Sequence, residues 1–120
     1  MSYTGRERLM LESNPTARIV LTTAASVDEA RRLGRTLVEE RLAACATLIP
    51  AVESIYHWEG SVESAGECVL LLKTAAAQLA ALEARLLALH SYDTPEFLVL
   101  LVESGSEAYL AWMAACLKQP

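Results

Sequence analysis

Long apolar runs, a basic cluster and a cysteine framework are all missing from these 120 residues, and each absence removes a class of function. The apolar stretches "CVLLL" (68–72) and "FLVLLV" (97–102) fall far short of the roughly 20 residues a membrane-spanning helix needs. Both read as buried strands. Near the start, Leu9-Met10-Leu11 is too short for a secretory hydrophobic segment, so a cytoplasmic protein with a loose N-terminal extension over 1–16 is expected. Acidic residues outnumber basic ones by 15 to 10, for a net charge of −5, and the basic residues form no patch suited to phosphate backbones. Nucleic acid is therefore not an expected partner, and neither is a membrane. Cys45, Cys68 and Cys116 are odd in number and widely spaced, which suits reduced, buried thiols rather than disulfides or a zinc site.

What remains is apolar enough for one ordered domain over 17–120, with 53% hydrophobic residues. "ARIVLTT" (17–23) reads as a first strand. Ser26 with Glu29 has the spacing of a capping box, and Val27, Ala30, Leu33, Leu37 and Val38 then recur at helical intervals. Gly34 inside this helix points to close packing on a sheet. "ACATLI" and "VESIYHW" form a strand interrupted at Pro50, where a bend or an unpaired position is expected. Glu59-Gly60-Ser61 supplies turn chemistry, and "SVESAGECVLLLKT" returns with a bulge expected at Ser64-Ala65-Gly66. Thr74 is placed to cap a helix carrying Leu79, Leu82, Leu86 and Leu89, and His90 ends it. After the loop "SYDTP" comes the strand "EFLVLLVE", and Ser106 caps a last helix. The order is β-α-β-β-α-β plus one helix: an α+β, ferredoxin-like antiparallel sheet with helices on one face.

A continuous strand over 45–58 would run about 46 Å at ~3.3 Å per residue, more than the ~35 Å diameter expected of a domain this size. The arm must bend or project. A projecting arm exposes an edge and aromatic area, liabilities that pairing with another copy removes. Ile55, Tyr56 and Trp58 near its tip are the expected interface anchors. A second copy would also cover the helix-free face of the sheet.

Taken together, "AACATLIP", "SIYHWEG", "LLLKT", the His-x-Tyr-x-x-Pro-Glu run at 90–96 and Tyr109-x-x-Trp112 make the chain from residue 17 onward resemble the CutA divalent-cation-tolerance proteins. The resemblance implies a tight homotrimer, an architecture shared with PII signalling proteins, a response to metal ions and binding of copper. It implies no enzymatic reaction. Three positions depart from the family's proposed copper set: Thr22 stands where some members have cysteine, Leu89 where they have a second histidine, and only His90 is kept.

Two sets of site residues follow. His90 with Asp93 and Glu96 makes a metal site for Cu²⁺ or Zn²⁺, the alternative being a histidine bonded to a carbonyl or carboxylate at a helix end. Lys73 with Tyr92 and Glu96 makes an intersubunit cleft for a small anionic metabolite, as in a PII-like sensor, the alternative being an ion pair of Lys73 with Glu96 or Asp93. A non-catalytic trimeric scaffold is the third reading. His57 sits between rings on a strand and points to solvent. Neither a nucleophile–base pair nor a glycine-rich phosphate loop is visible, so no enzyme is expected and no cofactor is firmly implied beyond the possible metal.

Overall fold

The computed structural model describes residues 11–13 and 16–119. In chain order its elements are β1 (Leu11–Ser13), β2 (Ala17–Ala24), α1 (Val27–Glu39), β3 (Cys45–Trp58) and β4 (Ser61–Ala75). A 3₁₀ turn (Ala76–Gln78) then leads into α2 (Leu79–Leu89), followed by β5 (Leu98–Leu101), β6 (Ser104–Ser106) and α3 (Glu107–Cys116). Strands β2 to β5 make one sheet in the order β3-β4-β2-β5, antiparallel throughout, which is the expected ferredoxin-like arrangement. Within the segment read as a loose extension, β1 pairs antiparallel with β6 as a separate two-stranded sheet. The rest of that segment, save Thr16, lies outside the described residues.

Period-2 alternation decides which side chains meet the helices. Val20, Ala24, Cys68, Leu70 and Leu72 face Ala30, Leu33 and Leu37 of α1 and Leu82 and Leu86 of α2, closing one core. Each fully buried leucine there contributes about 1.5–3 kcal/mol. Gly34 is where α1 comes nearest the sheet: a Cβ on it would stand 2.9 Å from the Ala46 Cβ, which is the close packing expected of it. A smaller cluster of Ala17, Ala44, Leu110, Met113 and Leu117 seats α3.

The opposite face of the sheet carries no helix over most of its width. Ile19, Leu21, Val69 and Leu71 lie there half-buried, with Ile49, Leu98 and Leu100 exposed. Strands β3 and β4 continue past the core as an arm that ends in a two-residue turn. Glu59 and Gly60 both adopt positive φ (47° and 84°) between the paired Trp58 and Ser61. That is the hairpin geometry matching strand twist, and glycine takes its second position without strain.

Two local expectations are corrected. The bulge is not at Ser64-Ala65-Gly66, which pair in unbroken register with Ile55, Ser54 and Glu53. It lies opposite, where the register shifts between Ile49 and Val52 and Ala51 takes a φ of 58°. Pro50 has no N–H to give the ladder, so the irregularity sits on its strand. Nor does Thr74 cap a helix: its buried hydroxyl donates to the Leu42 carbonyl at 2.7 Å, tying β4 to the segment that follows α1.

Candidate functional site

The bulge at Pro50–Ala51 builds the site. One extra residue on β3 reverses the parity of every side chain beyond it. Val52, Ser54, Tyr56 and Trp58 therefore join the helix-free face, opposite Glu67, Ala65, Glu63 and Ser61 of β4. Ile55, paired with Ser64, and Val62, paired with His57, go to the other side. Where the first face meets the end of β2 and the loop after α2 lies a cavity of about 580 Å³. Its lining is Tyr56, Trp58, Glu63 and Glu67 from the arm, Thr23 from β2, and Tyr92, Asp93, Thr94 and Glu96 from the loop. Across it the Tyr92 hydroxyl donates to Glu67 Oε2 at 2.7 Å. Burial, that bond and the glutamate's charge push the Tyr92 phenol far up, so it stays a donor at any physiological pH. Partial burial, then the Glu67 charge, hold the Glu96 carboxyl above its usual range.

The loop is fixed from beneath by a buried polar network. His90, whose side chain is fully covered, uses both ring nitrogens on main chain: Nε2 donates to the Thr23 carbonyl at 2.7 Å, and Nδ1 accepts the Tyr92 N–H at 3.0 Å. Those partners set the tautomer with the proton on Nε2. Glu29, 6% exposed, accepts the Ser91 N–H at 2.8 Å and the Ser91 hydroxyl at 2.9 Å, and lies 3.8 Å from His90 Nδ1. Burial pushes its carboxyl up, but the bonds from Ser91 and the Ala25 N–H together outweigh this and hold it below the usual range. Ser26 accepts the Glu29 N–H as a capping box requires, while the glutamate's own side chain turns to the Ala25 N–H and to Ser91. Its spacing within the helix showed the cap, and gave no sign of a partner 62 residues away.

A sequence model described as CutA1 divalent ion tolerance protein matches residues 18–116. The divalent-cation tolerance protein CutA of Pectobacterium atrosepticum is 44% identical over 100 residues, covering 83% of this chain and 91% of its own. The chain belongs to the CutA1 family. CutA from Synechococcus elongatus superposes with a TM-score of 0.87 at 36% identity, covering 90% of this chain and 96% of that one. The Cut A1 protein of Thermus thermophilus gives 0.83 at 39%, covering 85% and 99%. A CutA from Archaeoglobus fulgidus, described as periplasmic, gives 0.82 at 32%, covering 85% and 99%.

Set against the copper ligands expected from the sequence resemblance, three residues do not fit the metal. Thr22 is fully buried on the helix side of the sheet with its hydroxyl unpartnered, Leu89 has no donor atom, and His90 has no free ring nitrogen. His90 is likewise separated from Asp93 and Glu96: the histidine lies under the loop, while the carboxylates line the cavity. Among the described residues no three His, Cys, Asp or Glu side chains converge as a metal-holding group. Within one chain Lys73 does not meet Tyr92 and Glu96. Its ammonium lies 3.5 Å from Thr47 Oγ1, 3.8 Å from Cys45 Sγ and over the Tyr109 ring, in place of Asp93 or Glu96. The arm divides the three residues expected as anchors, with Tyr56 and Trp58 on the cavity side and Ile55 behind. His57 is exposed. Glu63 and Glu67 were missed; their alternation opposite Tyr56 was the available signal, hidden by the misplaced bulge.

Proposed function

We propose that this CutA1 protein works as a homotrimer in the cytoplasm, without a catalytic step, and holds divalent cations weakly, largely hydrated, at the acidic cavity. The observation that carries this is the lining: four carboxylates, Glu63, Glu67, Asp93 and Glu96, and no basic side chain among the described residues. Such a cleft concentrates cations electrostatically without the converging ligands of a tight site. The same charge repels an anionic metabolite, so the reading favours a cation over a PII-like anion. The three unbridged cysteines support a reducing compartment, and no helix of the described residues is long and apolar enough to cross a membrane.

Support for assembly comes from two exposed apolar surfaces at opposite sides of the sheet. Ile55 and Val62 sit on the arm, and Leu98 to Leu101 form an outer edge strand in which Leu101 is 77% exposed. Different patches meeting head to tail close into a ring when the rotation allows. The test is a calorimetric titration of Zn²⁺ and Cu²⁺ into tag-free protein. Weak saturable binding, reduced in Glu67→Gln/Glu96→Gln and kept in Glu83→Gln on the exposed surface of α2, is expected. Binding that Glu67→Gln/Glu96→Gln leaves unchanged, or no saturable binding, would overturn the cavity as the cation site.

A further inference from the structure

We propose that His90 is a proton-operated latch on the loop over 91–96. Neutral, its ring pins the loop to β2. Protonated, it turns Nδ1 from the Tyr92 N–H to the Glu29 carboxylate and releases the loop. The latch stands whatever the cavity holds.

The geometry offers Nδ1 two partners that exclude each other. In the neutral ring it accepts the Tyr92 N–H at 3.0 Å, while Nε2 donates to the Thr23 carbonyl at 2.7 Å. A proton on Nδ1 makes both nitrogens donors, so the Tyr92 N–H then faces another N–H and its bond is lost. The Thr23 bond survives, because Nε2 donates in either state. An acceptor for the new proton already stands 3.8 Å away in Glu29 Oε2, about an ångström more than a charge-assisted bond. Closing that gap draws Oε2 from the Ser91 N–H, which it accepts at 2.8 Å. One proton therefore governs the main-chain ties of both Ser91 and Tyr92. Tyr92 in turn carries the loop's contact with the arm, its hydroxyl donating to Glu67 at 2.7 Å.

The surroundings set the direction of the switch. The His90 side chain is fully covered, which disfavours its charge, and Glu29 of α1 is its ion-pair partner within 4 Å among the described residues, which favours it. Burial raises the Glu29 carboxyl, but the bonds from Ser91 and Ala25 outweigh this, so it is ionised at neutral pH. From β2 comes the Thr23 carbonyl, and from the loop the Tyr92 ring at 4.8 Å, its phenol kept protonated by burial and by Glu67. Glu67 of β4 meets Tyr92, and Asp93 and Glu96 line the cavity. On the helices, Glu83 is exposed, Arg85 is paired with Glu40 and Arg31 with Asp28. The latched form binds one proton fewer, so it gains as pH rises and the released form gains as pH falls. Histidine is the side chain whose charge ordinarily changes between pH 5 and 8.

The test follows the ¹⁵N-labelled full chain by NMR from pH 8 to pH 5. A His57→Gln background leaves His90 as the one histidine. Its ring nitrogens should report the Nε2–H tautomer at pH 8 and a second proton, on Nδ1, at the acid end. The Ser91 and Tyr92 amides should shift with the same midpoint, and protection of the Tyr92 N–H against exchange should fall about tenfold. Glu29→Gln should lower the midpoint by about one pH unit or more, a tenfold loss of proton affinity. Glu83→Gln, on the exposed surface of α2, should leave it in place. A ring that stays neutral to pH 5 would overturn the proposal, as would a ring that takes the proton while both amides keep their shifts. A midpoint that Glu29→Gln does not move would remove the second partner of Nδ1 and overturn it as well. Loss of the whole fold at the same midpoint, read by circular dichroism, would count equally against it, because the loop is then not released alone.

Discussion

His90 shows how one side chain can be legible in type and misread in role. Its place at the end of a helix, close to two carboxylates in sequence, gave both a ligand reading and a hydrogen-bonded one, and the structure realises the second. Sequence spacing does not reveal that the Thr23 carbonyl and the Tyr92 N–H converge on its ring, because those contacts depend on how α2 returns to β2. His90→Ala leaves both groups buried without partners and is expected to cost about 2–4 kcal/mol, measured by urea unfolding. Glu29→Gln should cost about 1–3 kcal/mol, since Ser91 loses a charged acceptor. Glu29 also carries a pH signature. Its carboxyl is held below the ordinary value of 4.5 in the folded state, so its contribution is present above that value and is lost as pH falls through the depressed one. Stability of the parent protein should therefore decline on acidification below pH 4.5 more steeply than that of Glu29→Gln.

At the scale of elements, β2 to β4, α1 and α2 and their order could be read from alternation and period because they face one continuous core, whereas the short β1–β6 pair carries no such pattern. Positions such as Leu82 and Leu86 report burial directly. The bulge was harder. Gly66 and Pro50 both permit an irregularity, and sequence does not say which strand of a pair will absorb it; the missing proline N–H decides for β3. That single residue of register sets which face carries Tyr56, Trp58, Glu63 and Glu67, so misplacing it conceals the cavity. Two glycines separate contact from conformation. Gly34→Ala drives a methyl to 2.9 Å from the Ala46 Cβ and should cost about 1–3 kcal/mol through overpacking. Gly60→Ala meets nothing within 4 Å but keeps a φ of 84°, and should cost about 1–2 kcal/mol through backbone strain alone. Chemical denaturation of the two variants distinguishes the causes when each is compared with its serine counterpart. Added bulk worsens the first site and leaves the second nearly unchanged.

For the whole molecule, the mismatch between strand length and domain size required the arm to bend or to project, and it projects. The radius of gyration is 16.5 Å, against about 14 Å for a compact chain of this length, with a longest extent of 54 Å. The arm and the open sheet face leave apolar surface at Ile55, Val62, Leu98 and Leu100 that a monomer would present to water. None of these residues contributes to the main core cluster, so their replacement separates assembly from folding. Light scattering of the parent at micromolar concentration should give three times the 13.0 kDa chain mass. A charge at either side of the proposed contact, Ile55→Asp on the arm or Leu100→Asp on the edge strand, should lower that mass while the far-ultraviolet circular dichroism is kept. Trp58→Ala, on the cavity side, should weaken cation binding more than it lowers the mass. If instead Trp58→Ala dissociates the assembly while Ile55→Asp does not, the neighbouring subunit is seated on the cavity face, and the arm's two faces exchange the roles argued for them.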